Sequence, residues 1–542
     1  MPAPHPASLA RPAPAPVHRS ATRLAAVLLG IVLGIGVAAY PQPANVAAQD
    51  DVRARIAGGA PLTWDPAHAG ETSSASLLAQ VFEGLTAFDW HNEVQPALAR
   101  SWTVSDDGTR IDFELRPGLR YSDGSPIRGQ DVVDSWLRLL EPTDPSPLAS
   151  LLADVRGASD YLAGRTDRDG VGLSADDDTV TVELRRPAAY FLAVTGSPSL
   201  AVVPPSMWAA LDTPVLPASV VVSGGYVPTE ASDGAIRLEA NPSYWAGTPP
   251  LAVIELVTDI GGVSPVTAFQ DEAVDYIGIG SYDASWLAYD DTLGPQLRAV
   301  ADFVVHYYGF ATTRPPFDNV LVRRAFARAV DWERMVRLAD EHPASSLVPA
   351  GIPGGDDDYR HAYDREAARQ LLADAGFAGG VGFPVTPLVS NGYGYEVAVA
   401  EQLEEVLGIS VPVELMEFSD YLALHDTPAA PLFWTLSWSA DYPHAHDFLG
   451  LLLETGSSSN EGSWSNADYD AAIEAAAATA DPDEQAAFYA QAGAILRDQV
   501  PVVPVSYSDS WALSRDGLLG ALPSGVGYLR FAGLDWTPES GR

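Results

Sequence analysis

The sequence predicts an α/β protein. Three observations carry this: segments that alternate apolar and polar residues, segments with apolar residues at helical spacing, and the interleaving of the two along the chain. In chain order, Ile56-Ala57-Gly58-Gly59 followed by Leu62-Thr63-Trp64-Asp65-Pro66 predicts a first strand and its turn. Leu77, Leu78, Val81 and Phe82 predict a helix over 72–85. Asp106-Asp107-Gly108 is a turn into a strand at 109–115, with Ile111, Phe113 and Leu115 on one face and Arg110, Asp112 and Glu114 on the other. Asp131 is expected to cap a helix running through Val132, Val133, Trp136 and Leu140, and 179–184 alternates again. Ser223-Gly224-Gly225-Tyr226-Val227 is a glycine turn into a strand, 236–240 its partner, and 272–277 a short buried segment. Beyond residue 310 helices dominate. Val322, Ala325, Phe326, Ala329 and Val330 form an apolar face with Arg323, Arg324 and Arg328 expected outside. Asp364 caps a helix ended by Gly376, further helices are predicted at 465–478 and 484–496, and 502–507 is a late strand.

Composition narrows the function. With 542 residues, 47% of them hydrophobic, the chain can build two or more domains with real cores. Its 13 Trp and 21 Tyr suit ligand clefts as well as cores. There is no lysine, so all 31 basic residues are arginine, which excludes a P-loop, a Schiff base and a lysine general base. There is no cysteine, which excludes disulfides, thiolate metal sites and a lipidated N-terminal Cys. A net charge of −40 disfavours nucleic acid and makes a soluble, solvated surface. No cofactor is expected. The enzyme motifs G-x-S-x-G and H-E-x-x-H are absent.

Residues 1–48 stand apart. Arg11, His18, Arg19 and Arg23 precede an apolar run from Leu24 to Tyr40, and Val46-Ala47-Ala48 offers a cleavage site. The run is short against the roughly 20 residues a membrane span needs. It reads as a signal peptide or an N-terminal anchor, and either makes the remainder extracytoplasmic.

A run of residues in the N-terminal quarter, 82–138, carries the most specific signal. It opens Phe82-Glu83-Gly84-Leu85-Thr86 and closes Asp134-Ser135-Trp136-Leu137-Arg138. It resembles the signature region of the extracellular solute-binding proteins, family 5, the peptide/nickel class that feeds ABC importers. Four more blocks follow in the family's order. They are Gly224-Gly225-Tyr226 through Asn241-Pro242-Ser243-Tyr244-Trp245, then Tyr308-Gly309-Phe310 through Asp318-Asn319 to Ala329-Val330-Asp331, then Tyr363-Asp364 to Ala375-Gly376, and Trp438-Ser439-Ala440-Asp441-Tyr442-Pro443. The resemblance implies a two-lobe periplasmic-binding-protein-like fold of the large type II class, with ligand in the inter-lobe cleft. Lobe I would take 51–305 plus 506–542, with an extra subdomain at about 88–195. Lobe II would take 306–505. The implied function is a receptor that binds oligopeptides by hinge closure, delivers them to a membrane permease, and performs no chemistry on them; a monomer is expected.

The resemblance also implies site residues. Asp441 would pair with a ligand ammonium and Trp438 would pack on the ligand, with Tyr442 beside them. Otherwise Asp441 is a turn residue before Pro443. Glu71, Thr72 and Ser73 stand where relatives place cleft residues, or they simply cap the helix. Gly225 and Tyr226 mark the lobe-facing turn, and Tyr226 is either a cleft wall or core. Two departures are visible: Ala311 where relatives often carry Asn, and His444-Ala445-His446-Asp447 where they carry an Asp/Asn-Pro stretch. These histidines and Asp447 have the atoms of a metal site, although such spacing in a loop is common. A metal complex or an oligosaccharide is the alternative ligand. A secreted carboxylate-dependent hydrolase is the alternative from another class.

Overall fold

The computed structural model describes residues 53–538 apart from isolated positions and short stretches, of which 355–359 is the longest. The expected signal peptide or anchor at 1–48 lies outside the described residues. No helix among the described residues is long and apolar enough to cross a membrane.

The architecture is organised by an eleven-stranded sheet. One flank consists of Tyr226–Ser232, Ala235–Ala240, Val253–Val257, Arg53–Ala57 and Tyr276–Ile279. The other consists of Phe433–Ser439, Leu388–Ser390 and Val413–Leu415. Between them run two long antiparallel strands, Leu297–Phe310 and Val502–Ser514, which belong to both flanks. Leu297–Ala301 pairs with Asp509–Leu513, and Val305 and His306 pair with Tyr507 and Ser506. Residues 302–304 therefore face Ser508 alone, so the ladder is interrupted midway. The backbone of Phe303 finds partners elsewhere. Its N–H donates to the Gly525 carbonyl at 2.7 Å and its carbonyl accepts from Ala440 N–H at 2.9 Å.

Each flank has its own core. Ala54, Ile56, Leu77, Leu78, Ile254 and Leu256 pack with Leu529, Phe531 and Trp536 from the end of the chain. Phe310, Phe317, Phe326, Leu403, Phe433 and Val503 form the other. The C-terminal tail is held by specific bonds. Gln80 Nε2 donates to the Leu529 carbonyl and Trp536 Nε1 to the Arg53 carbonyl. The family-like blocks meet in this region. Buried Glu83 accepts from Tyr244 Oη at 2.5 Å and from Arg530 at 3.0 Å, while Asn241 Nδ2 donates to the Gly224 carbonyl at 2.8 Å.

A separate antiparallel sheet of four strands, Ala99–Val104, Arg110–Leu115, Thr179–Glu183 and Leu173–Ala175, lies within 88–195. Its inward Ile111, Phe113, Val180 and Val182 are buried with Val132, Val133 and Trp136 of the helix Gly129–Leu139.

Three elements differ from the sequence expectation. The first helix spans Thr72–Val81 rather than 72–85, because Phe82 is already extended and Thr86–Phe88 is a strand. Asp131 sits in the first turn rather than at the cap, where its carboxylate accepts from the Arg128 backbone N–H. Arg323 is not outside. It is 4% exposed and donates to the carbonyls of Phe317, Gln499 and Val500. It thus satisfies the open end of the helix Pro482–Gln499. Burial lowers its guanidinium to about 10, so it stays charged at neutral pH. Replacing it by Met, which fills space but leaves three carbonyls unpaired, is expected to cost about 3 kcal/mol in denaturant unfolding.

Candidate functional site

The strand Phe433–Ser439 ends beside the interrupted stretch of the ladder, with Trp438 opposite Val305 and Ser439 opposite Val304. The Ala440 N–H bond to Phe303 then fixes the chain, and Asp441 is the next residue. Asp441 thus follows directly on the residue that is bonded to the interrupted stretch of the two long strands.

The local turn is built around Asp447, in the first turn of the helix Ala445–Leu453. Asp447 Oδ2 accepts from Trp438 Nε1 at 2.8 Å and from the Asp441 backbone N–H at 3.3 Å. Asp447 Oδ1 is buried without a hydrogen-bond partner. Among the described residues, neither Asp441 nor Asp447 has an ion pair with an arginine or histidine. Desolvation pushes Asp441 up to about 7. Burial, and then the neighbouring Asp441 charge, push Asp447 well above the carboxylate range.

The sequence-predicted residues divide. Trp438, Asp441 and Tyr442 are brought together. Tyr442 is fully buried, with its hydroxyl on His446 Nδ1 at 2.9 Å and its ring stacked near Tyr190. Tyr190 also stacks on His446 at 3.5 Å between centroids. Glu71 caps its helix, accepting from Ser74 N–H at 2.7 Å and Ser73 Oγ at 3.1 Å. Thr72 is exposed and lines, with Gly58, Gly59, Tyr276, Ser510 and Trp511, a cavity of about 380 Å³. Gly225 and Tyr226 lie in the core. Tyr226 is 0% exposed and its hydroxyl donates to the Leu251 carbonyl at 3.1 Å. Ala311 is buried.

The two histidines are engaged within the turn through Nδ1. His444 caps the helix through Nδ1, and His446 is engaged by the two tyrosines. Burial lowers His444 to about 4 and holds His446 well below the ordinary imidazole value, so both are neutral. Among the described residues, no group of three or more His, Cys, Asp or Glu is placed to hold a metal ion. Sequence reading singled out Asp447 only as a metal candidate and missed its bond to Trp438. The indole at i−9 gave no periodic signal, since the contact depends on how the turn folds back.

Comparison with known proteins decides the family. The profile described as "Bacterial extracellular solute-binding proteins, family 5 Middle" matches residues 93–460. The chain belongs to the bacterial extracellular solute-binding proteins, family 5. A probable deoxycholate-binding periplasmic protein of Escherichia coli is 31% identical, over 82% of this chain and 86% of its own length. The dipeptide-binding protein DppE of Bacillus subtilis is 27% identical, over 89% and 90%. Among solved structures, the murein tripeptide-binding protein MppA of Escherichia coli superposes with a TM-score of 0.76 at 23% identity, covering 90% of this chain and 99% of that one. Haemophilus influenzae OppA in complex with the peptide RPPGFSPFR gives 0.74 at 23%, again over 90% and 99%. These likenesses fix the fold of this family 5 protein as the two-lobe, type II α/β architecture.

The placement of Tyr226 generates a test. Tyr226→Phe is expected to lower unfolding stability by about 1 kcal/mol through loss of one buried hydroxyl bond. Ligand affinity, once a ligand is in hand, should be unchanged by it.

Proposed function

We propose that this protein is an extracytoplasmic receptor of an ABC importer, which captures oligopeptides between two lobes and passes them intact to a membrane permease. The observation that carries this reading is Asp441. It is a desolvated carboxylate with no basic partner among the described residues, set beside Trp438 at the strand crossing. An isolated carboxylate in such a place costs free energy unless a cation arrives, and a peptide's terminal ammonium makes a strong charge-assisted bond to it. Trp438, held by Asp447, supplies the packing surface. Family membership, and the peptides named for DppE, MppA and OppA, support the ligand class.

In this reading lobe I is 51–305 with 506–542, and lobe II is 306–505. Support comes from the two cores and from the tail bonds to Gln80 and Arg53. The ladder interruption at 302–304 serves as the hinge, because backbone pairing there is weakest. Peptide must bind the closed form more tightly than the open one for closure to occur. No catalytic step is assigned: Asp441 and Asp447 orient a cation rather than a water. The receptor acts as a monomer.

Native mass spectrometry of the full chain with a pool of short peptides tests this. Added masses of intact peptides are expected, and degraded peptides would sink the receptor reading in favour of a hydrolase. Asp441→Asn should weaken peptide binding by about tenfold to a hundredfold, the worth of a hydrogen bond to a charged group. N-acetylation of the peptides should do the same to the unaltered protein.

A further inference from the structure

The subdomain within 88–195 is tied to the body of lobe I and also reaches lobe II. On the lobe I side, Arg138 Nη1 donates to buried Asp65 at 3.0 Å, Trp136 Nε1 to the Leu200 carbonyl at 2.8 Å and Ser135 Oγ to the Val203 carbonyl at 3.2 Å. On the lobe II side, the segment 185–190 makes the contacts. Arg186 donates to both oxygens of Glu454, from Nη1 at 2.6 Å and from Nη2 at 3.0 Å, while its Nε donates to Asp154 of the subdomain at 2.8 Å. Ala189 N–H donates to the Ala477 carbonyl at 2.9 Å. Tyr190 donates its hydroxyl to Asp154 and stacks its ring on His446 at 3.5 Å between centroids.

Two of these partners mark the two ends of one helix. His446 lies in the first turn of Ala445–Leu453, and Glu454 is its C-cap. The same first turn holds Asp447, which accepts from Trp438 Nε1 and from the Asp441 backbone N–H. The subdomain therefore grips, at both ends, the helix on which the Asp441 turn is built. A cavity of about 820 Å³ lies beside this grip, with Ser159, Leu162 and Arg185 on the subdomain side and Leu451, Gly456 and Glu474 on the lobe II side. A boundary that holds a cavity exposes less apolar area on parting than a continuous core would, and its paired charges regain water when they separate. Such a contact can be made and broken.

Resting on the receptor reading and its two lobes, we propose that residues 185–190 are a clasp, by which the subdomain travels with lobe I and locks onto lobe II when the lobes close. Arg186 and Tyr190 are then positioning residues, acting on the Asp441 turn through Glu454 and His446. The bidentate pairing of Arg186 with Glu454 favours the closed form alone, so it raises the closed share and slows solute release.

The chain has no cysteine, so one introduced pair can be spin-labelled alone. Labels at Asp167→Cys on the subdomain and Ala471→Cys on lobe II, both exposed positions, report the separation by pulsed electron spin resonance in the full chain. Arg186→Gln and Glu454→Gln are each expected to lower the ratio of short to long separations by about tenfold. The double variant should lower it no further than either single one, because both remove the same pair. Glu454→Gln leaves Arg186 its Asp154 partner, so it reads the clasp even where Arg186→Gln disturbs the subdomain. Identical separations in the unaltered protein and both variants would overturn the clasp. With a pool of tri- to pentapeptides as probe, the variants should release bound peptide about tenfold faster and take it up at the unaltered rate. Slower uptake with unaltered release would overturn the positioning role. If no peptide binds, the peptide reading fails on its own, and the label separations still decide the clasp.

Discussion

The pairing of Leu297–Phe310 with Val502–Ser514, interrupted midway, is the constraint on which the rest depends. Two strands of 14 and 13 residues carry the sheet from one flank to the other, and each must serve two cores. A perfect ladder would make that connection stiff. Here three residues face one, and the orphaned backbone groups of Phe303 are taken up by Gly525 and Ala440. Buried backbone groups have to be paired, so this break forces the tail segment and the residue before Asp441 into contact with the crossing. The turn that carries Asp441 is thereby tied to the interrupted stretch of the ladder.

Burying charge is the second theme, and the chain handles it in two ways. Where charge is structural it is fully satisfied. Glu83 has Tyr244 and Arg530, and Arg323 has three carbonyls. The Asp441–Asp447 turn is different. Asp447 accepts from Trp438 Nε1 and the Asp441 backbone N–H, and among the described residues neither carboxylate has a cationic partner.

Much of this was legible in the sequence. The alternation of Ile111, Phe113 and Leu115 gave a strand whose inward face is buried as read. Asp364 capped the helix it precedes. Blocks in family order gave the fold, because they mark contacts made between distant segments, such as Glu83 with Tyr244. What escaped reading has a common cause. Arg323 looks exterior because helical spacing assigns faces and cannot know that another helix ends over that residue. Tyr226 can be wall or core until the tail's Phe531 is seen packed against it. Asp447 needs the fold of its own turn before its bond to Trp438 can be drawn.

Neutral hydrogen bonding also organises the His-Ala-His-Asp turn. His444 uses Nδ1 on the backbone N–H of His446, and His446 uses Nδ1 on Tyr442 while Gly450 packs against its ring. The histidines thus stiffen the turn as neutral hydrogen-bonding groups, with Tyr190 stacked over one of them.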